Sequence, residues 1–229
     1  ADVYSQNYII DDNPYLPRTF VENLKQEYAG TVYYDRYILG LWALAEGLVY
    51  PMFDAKKHVY TEAPWTDETG EWYISIDYET LNPTSMGLWR IYNGVAYRVK
   101  EYYYDGRDAG RQLTDEEYYQ ALEKLAGRRV IQCVVVDPSA ASFITAIRRH
   151  GRFHVRQANN AVLDGLRHTA TALGAGRIRI HESCKAIQRE FAAYCWDSEA
   201  VEDKVIKAND HAMDDMRYFV MTVLRRMMR

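Results

Sequence analysis

The chain has 229 residues, 48% hydrophobic and 26% charged, which is enough apolar content for a packed core and excludes a disordered or low-complexity chain. No apolar run approaches the roughly 18 residues that span a bilayer, and the opening ADVYSQNYIIDDNPY lacks the basic start and apolar stretch of a signal peptide. The net charge of −4 weighs against a nucleic-acid partner, but it hides a split: residues 1–76 carry 12 acids and 5 bases, while 148–189 carries 9 bases and 2 acids.

Residues 1–62 read as turn, helix, helix and short strand. Two prolines in NPYLP punctuate 13–17. Thr19 with Glu22 predicts a capping box at the head of FVENLKQEY. A second helix is expected over 31–46, with Tyr34, Ile38, Leu41 and Trp42 on one face and Gly47 as its stop. The breaker-rich APWTDETGE at 63–71 is the best boundary in the chain and divides 1–65 from 66–229.

Beyond it WYISIDYET alternates as a strand. GLWRIYNGVAYRVKEYYYD splits into a hairpin at Asn93-Gly94. Thr114, Glu117 and Gly127 bound a capped helix. RVIQCVVVD at 129–137 is the continuous apolar run of a strand buried on both faces. Helix, strand, helix and strand follow to 182, then a helix over 184–196 and a last helix from Asn209 or Asp210 to the end. Three antiparallel strands followed by strand–helix alternation predict an α/β fold: a mixed sheet flanked by helices.

Acids mark the ends of two strands. Asp77 closes YISID, and Asp137 closes VVVD ahead of Pro138. Ligand sites of open α/β sheets gather outside such carboxyl ends, although an Asp there also serves as a turn former or helix cap. A third cluster opens the last helix, NDHAMDDMRYFVMTVLRRMMR, whose apolar positions form one stripe. At about 100° per residue, Asp210 and Asp214 project about 40° apart and His211 about 60° from Asp214, whereas Asp215 diverges from Asp210 by about 140°. Acids in a first turn also favour the helix dipole. If the three clusters meet, keeping several carboxylates ionised requires a hard cation such as Mg²⁺ or Mn²⁺, and two such ions can clamp a phosphodiester.

Candidate phosphate contacts are Lys100, Arg107 and Arg111, and Arg148, Arg149 and Arg152 of the Arg-rich stretch. The tyrosines at 102–104 and 118–119 read as packing groups, with the middle of YYY on the opposite sheet face. Cys133, Cys184 and Cys195 have no metal spacing and suit a reducing compartment.

The order of ISIDYET, YRVKEYYYDGR, VVVDPSA and NDHAMDDMRY, behind DNPYLPRTFVENLKQEY and YYDRYILGLWALAEGLVYPMF, resembles the nuclease half of the large terminase subunit of tailed bacteriophages over nearly the whole chain. The resemblance implies a ribonuclease-H-like fold and cleavage of double-stranded concatemeric viral DNA during packaging. It assigns Asp77, Asp137 and Asp214 to two Mg²⁺ or Mn²⁺ ions, with His211 and Asp210 beside them and Asp215 as the competing third acid. It implies an ATPase domain, a portal protein and a small terminase subunit as partners, no membrane, and the cytoplasm of an infected bacterium. Residues 1–65 would be the tail of the ATPase domain and a linker, and 66–229 the nuclease. No GxxxxGK[ST] occurs, so ATP hydrolysis is not expected here; the missing initiator Met suggests that the ATPase domain precedes Ala1. Two other readings stay open: a Holliday-junction resolvase or transposase-type nuclease of the same fold, and a non-catalytic docking module.

Overall fold

The computed structural model describes residues 7–41, 43, 45–67 and 69–227. The acidic opening segment carries a 3-10 turn at Ile10–Asp12 and two helices, α1 (Arg18–Tyr28) and α2 (Val32–Tyr37). α1 starts directly behind Pro17 and has no side-chain cap. Thr19 therefore lies inside the first turn, in helical backbone, where it cannot serve as the cap that the Thr19–Glu22 spacing predicts.

α2 is also shorter than the helix expected over 31–46. The Leu39 and Leu41 amides turn back to the Tyr34 and Asp35 carbonyls, and Gly40 takes φ +63°. A Cβ at Gly40 would overlap the Tyr8 carbonyl oxygen, so glycine is required there and the helix stops ahead of it. Trp42, assigned to the same helix face, lies outside the described residues.

After α3 (Ala55–His58) the chain builds one seven-stranded sheet. Its strands are β1 (Val59–Tyr60), β2 (Glu71–Asp77), β3 (Thr84–Tyr92), β4 (Val95–Tyr104), β5 (Ile131–Val136), β6 (Val155–Gln157) and β7 (Ile178–His181), in the order β1-β7-β4-β3-β2-β5-β6. β2, β3 and β4 pair antiparallel, and every other neighbour pairs parallel. Asn93 and Gly94 turn β3 into β4 with φ of 49° and 73°, the left-handed pair that a tight hairpin needs.

Side chains alternate between two cores. Ile74, Ile76, Leu88, Val134 and Val136 pack with α4 (Asp115–Ala126) and α5 (Ala141–His150). Tyr73, Trp89, Val135 and Ile178 pack on the other face with α6 (Val162–Gly174), α7 (Lys185–Phe191) and α8 (His211–Thr222). Tyr102 and Tyr104 join the first core and Tyr103 the second, as alternation predicts. The Thr114–Glu117 box caps α4 reciprocally.

Residues 45–60 enter the same core. The Val49 amide bonds the Tyr194 carbonyl at 2.9 Å, Tyr50 is buried against Phe191 and Tyr194, and β1 pairs with β7.

α8 departs from the single-stripe pattern. All its residues from Ala212 to Thr222 are buried, because it lies between the sheet and α6. It ends at Thr222 in a 3-10 turn, Leu224–Met227, rather than continuing helical to the terminus. Among the described residues no helix is long and apolar enough to cross a membrane.

Candidate metal centre

β2 and β5 run parallel with Ile76 opposite Val136, so their carboxyl ends set Asp77 and Asp137 side by side at one sheet edge. Both are buried. Asp137 Oδ1 accepts the Ser139 amide at 2.7 Å, and its Oδ2 faces Asn160 Nδ2 at 3.4 Å. One oxygen thus acts as a turn former, while α5 itself has no side-chain cap.

α8 supplies the remaining groups. Glu190 of α7 accepts the Ala212 and Met213 amides at 2.7 and 3.1 Å, so a buried carboxylate from another helix satisfies the first turn and Asp210 makes no capping bond. His211 Nδ1 stands 2.9 Å from Asp77 Oδ2. Asp214 Oδ1 accepts from Arg217 Nε and Nη2 at 3.1 and 2.9 Å, and its Oδ2 from Lys207 Nζ at 3.0 Å. Lys207 Nζ is also 3.1 Å from Asp210 Oδ2, but off the hydrogen-bonding direction, so among the described residues that buried oxygen has no aligned donor. Asp77, Asp210, His211, Asp214, Lys207 and Arg107 line a cavity of about 440 Å³. Asp137 adjoins Asp77 just outside that lining.

Asp215 points elsewhere. It is fully buried and bound by Arg98 Nη1 at 2.5 Å, with Ser75 and Ser85 hydroxyls donating at 2.8 and 2.5 Å.

Burial pushes the Asp77 carboxyl up to about 7; His211 opposes the shift and the charge of Asp214 adds to it. Burial disfavours the charged form of His211, but Asp77 and Asp210 override it and hold the imidazole above its ordinary value. The pair therefore retains a proton near neutrality. For Asp137, burial is outweighed by the bonds from Ser139, Tyr218 and Asn160, which keep it ionised below the usual range. Tyr218, one turn beyond Asp214, is held protonated by burial and by the charges of Asp77, Asp214 and Asp137, so one hydroxyl feels all three acids.

In kind, these donors fit a hard divalent cation: carboxylate oxygens, one of them desolvated beside a second charge and another buried without a donor. In placement they do not close on one ion. Among the described residues no three His, Cys, Asp or Glu side chains are arranged to hold a metal, and Lys207 and Arg217 occupy the Asp214 oxygens.

The basic candidates separate. Arg107 lines the cavity and bonds Asn82 at 2.7 Å. Arg111, in the same loop, is tied to Glu117. Lys100 is exposed on β4. Arg148 and Arg149 occupy the last turn of α5, and Arg152 beyond it pairs with Glu123. α5 starts just behind Asp137, Arg148 and Arg149 lie about 10–12 Å further along it and Arg152 beyond its end, so the fold does not bring these three to the acid edge. Sequence reasoning missed Glu190, Lys207 and Tyr218 as site neighbours; only Tyr218 had a signal, the RY that closes NDHAMDDMRY.

No protein-family model and no curated protein matches the chain. Several solved structures match it. The large terminase of a thermophilic bacteriophage is 48% identical over 94% of this chain, with a TM-score of 0.87. The nuclease domain of the P22 large terminase covers 82% of the chain and is itself covered completely, at 15% identity and TM-score 0.61. The large terminase nuclease of the thermophilic phage G20c, solved with bound magnesium, matches 77% of the chain and 96% of its own length, at 10% identity and TM-score 0.57. The fold is ribonuclease-H-like, a mixed sheet with acids at the carboxyl ends of its central strands. The chain belongs to the large terminase family of bacteriophages, and it spans 55% of the length of the terminase to which it is 48% identical.

Proposed function

We propose that the chain is a divalent-metal-dependent endonuclease that cuts double-stranded concatemeric viral DNA during genome packaging. The observation that carries this reading is the register of β2 on β5, which joins Asp77 to Asp137, together with the His211–Asp77 bond that seats α8 and Asp214 at the same edge. Asp77, Asp137 and Asp214 would hold two Mg²⁺ or Mn²⁺ ions, with Asp210 beside them. Such ions, when bound, supply a hydroxide nucleophile at neutral pH and charge stabilisation for the leaving oxygen.

The chain's own groups do the rest. His211 holds a proton against Asp77 Oδ2 and fixes the orientation of that carboxylate. Tyr218 steadies Asp137. Arg107 offers a guanidinium to a phosphate entering the cavity. Asp77 closes a strand that is buried from Trp72 onward, and charges there are screened less than at the surface. Because residues 45–60 pack in the nuclease core and β1 belongs to its sheet, we place the passage from motor to nuclease ahead of residue 45 rather than near 65, and we assign the ATPase domain, portal protein and small terminase subunit as partners in the cytoplasm of the infected host. ATP hydrolysis is assigned to none of these residues.

Plasmid cleavage with Mn²⁺ tests the proposal. Wild-type protein nicks and linearises plasmid, EDTA stops it, and Asp77→Ala abolishes it while circular dichroism remains native. Undiminished cleavage by Asp77→Ala would refute the assignment.

A further inference from the structure

The acid edge contains two cations of different character. Arg217 is 2% exposed and bonds Asp214 Oδ1 and the Asn160 carbonyl, so it is a fixed part of the fold. Lys207 is the opposite case. Its side chain is 55% exposed, yet its ammonium reaches into the cavity, 3.0 Å from Asp214 Oδ2 and 3.1 Å from Asp210 Oδ2. Both carboxylates are over nine-tenths buried, and the Asp210 oxygen has no aligned donor among the described residues. Lys207 rides on the irregular segment ahead of α8. That segment is anchored by the buried Val205, which bridges to Trp196, and by the Ile206 amide on the Cys195 carbonyl. The backbone is held while the side chain is free to leave.

We propose that the Lys207 ammonium is an internal counter-cation that competes with divalent ions for Asp210 and Asp214 and so sets the metal affinity of the site. An ammonium is a compact point charge on a flexible stem, with no bidentate fork to lock it to a carboxylate. From an exposed stem it withdraws to water without opening the fold. While it stays, it neutralises the charge that would attract a divalent ion and takes the oxygen that the ion would need. Lys207 thus stands on two of the acids that a divalent ion would need. The inference rests on the acid edge being a metal centre.

Mn²⁺ titration followed by the electron paramagnetic resonance of the free ion tests it, on wild-type protein, Lys207→Met and Lys207→Arg, each checked for an unchanged melting profile. An opposite charge within about 4–6 Å shifts the proton affinity of a carboxylate by about 1–3 pKa units, and the same charge acts against a divalent ion. Lys207→Met is therefore expected to bind Mn²⁺ about tenfold or more tightly than wild type, and Lys207→Arg, whose fork grips a carboxylate more firmly, to bind as weakly as wild type or more weakly. Equal or weaker binding by Lys207→Met, with wild type binding Mn²⁺, overturns the role of Lys207 and leaves the metal centre standing. No binding by any of the three overturns both.

Discussion

Arg98 holds Asp215 with both terminal nitrogens, at 2.5 and 3.0 Å, and neither side chain is exposed to solvent. Ser75 of β2 and Ser85 of β3 donate to the same carboxylate, so three antiparallel strands grip one residue of α8. Gly87 makes room for the guanidinium, since a Cβ there would overlap Arg98 Nη1. With Asp215 fixed, its neighbour Asp214 is rotated about 100° away and reaches the cavity. Adjacent acids of DDMRY thus take different tasks, one locking the helix and the other facing the acid edge.

Removing either partner of that pair strands a buried charge. Arg98→Met and Asp215→Ala are each expected to cost about 3–5 kcal/mol in urea unfolding. A loss below about 1 kcal/mol would show that packing alone positions α8.

Acid–base behaviour offers a second check on the metal-free protein. The Asp77 carboxyl moves from an ordinary 3.8 up to about 7, and Glu190 moves from 4.5 to about 7, both chiefly through burial. A carboxyl raised on folding contributes stability that is fully present below its unfolded value and is lost as pH rises through the folded one. His211 is raised as well, so its contribution fades in the same direction. Stability in EDTA should therefore fall from pH 5 to pH 8. Asp77→Asn should reduce the slope by on the order of 1 kcal/mol per pH unit. Denaturation midpoints across that range settle it, and a wild-type slope unchanged in Asp77→Asn would contradict the assignment.

The DNA path can be read from salt dependence. Arg107→Ala should lower the slope of log K against log salt by about 1, whereas Arg149→Ala, at the far end of α5, should leave it unchanged. Fluorescence anisotropy with a duplex in Ca²⁺ measures both. The reverse pattern would move the DNA to the α5 side.

Much of this architecture is legible in the sequence because its signals are local. The period-2 runs, Asn93-Gly94 and the Thr114–Glu117 box each act over a few residues, and the structure forms them where they are written. Asp77 and Asp137 are legible because each ends an apolar strand. The same capping rule misleads at Thr19, where Pro17 starts the helix too early, and Gly40 shortens α2 through a contact with Tyr8, 32 residues away in sequence. The helical wheel favours Asp214 over Asp215 as the third acid, but it does not reveal the partners that hold Asp215, because α8 is buried all round and those partners sit on distant strands. Glu190 and Lys207 carry no motif; the fold alone places them at the head of α8.

The central claim is that Asp77, Asp137 and Asp214 form one metal centre. Anomalous scattering from Mn²⁺-soaked crystals tests it most directly. The account predicts density at the ends of β2 and β5, about 2.1 Å from oxygens of all three carboxylates, with Asp215 still on Arg98. Mn²⁺ bound elsewhere, or none at this edge in crystals of protein that cleaves plasmid, would contradict it.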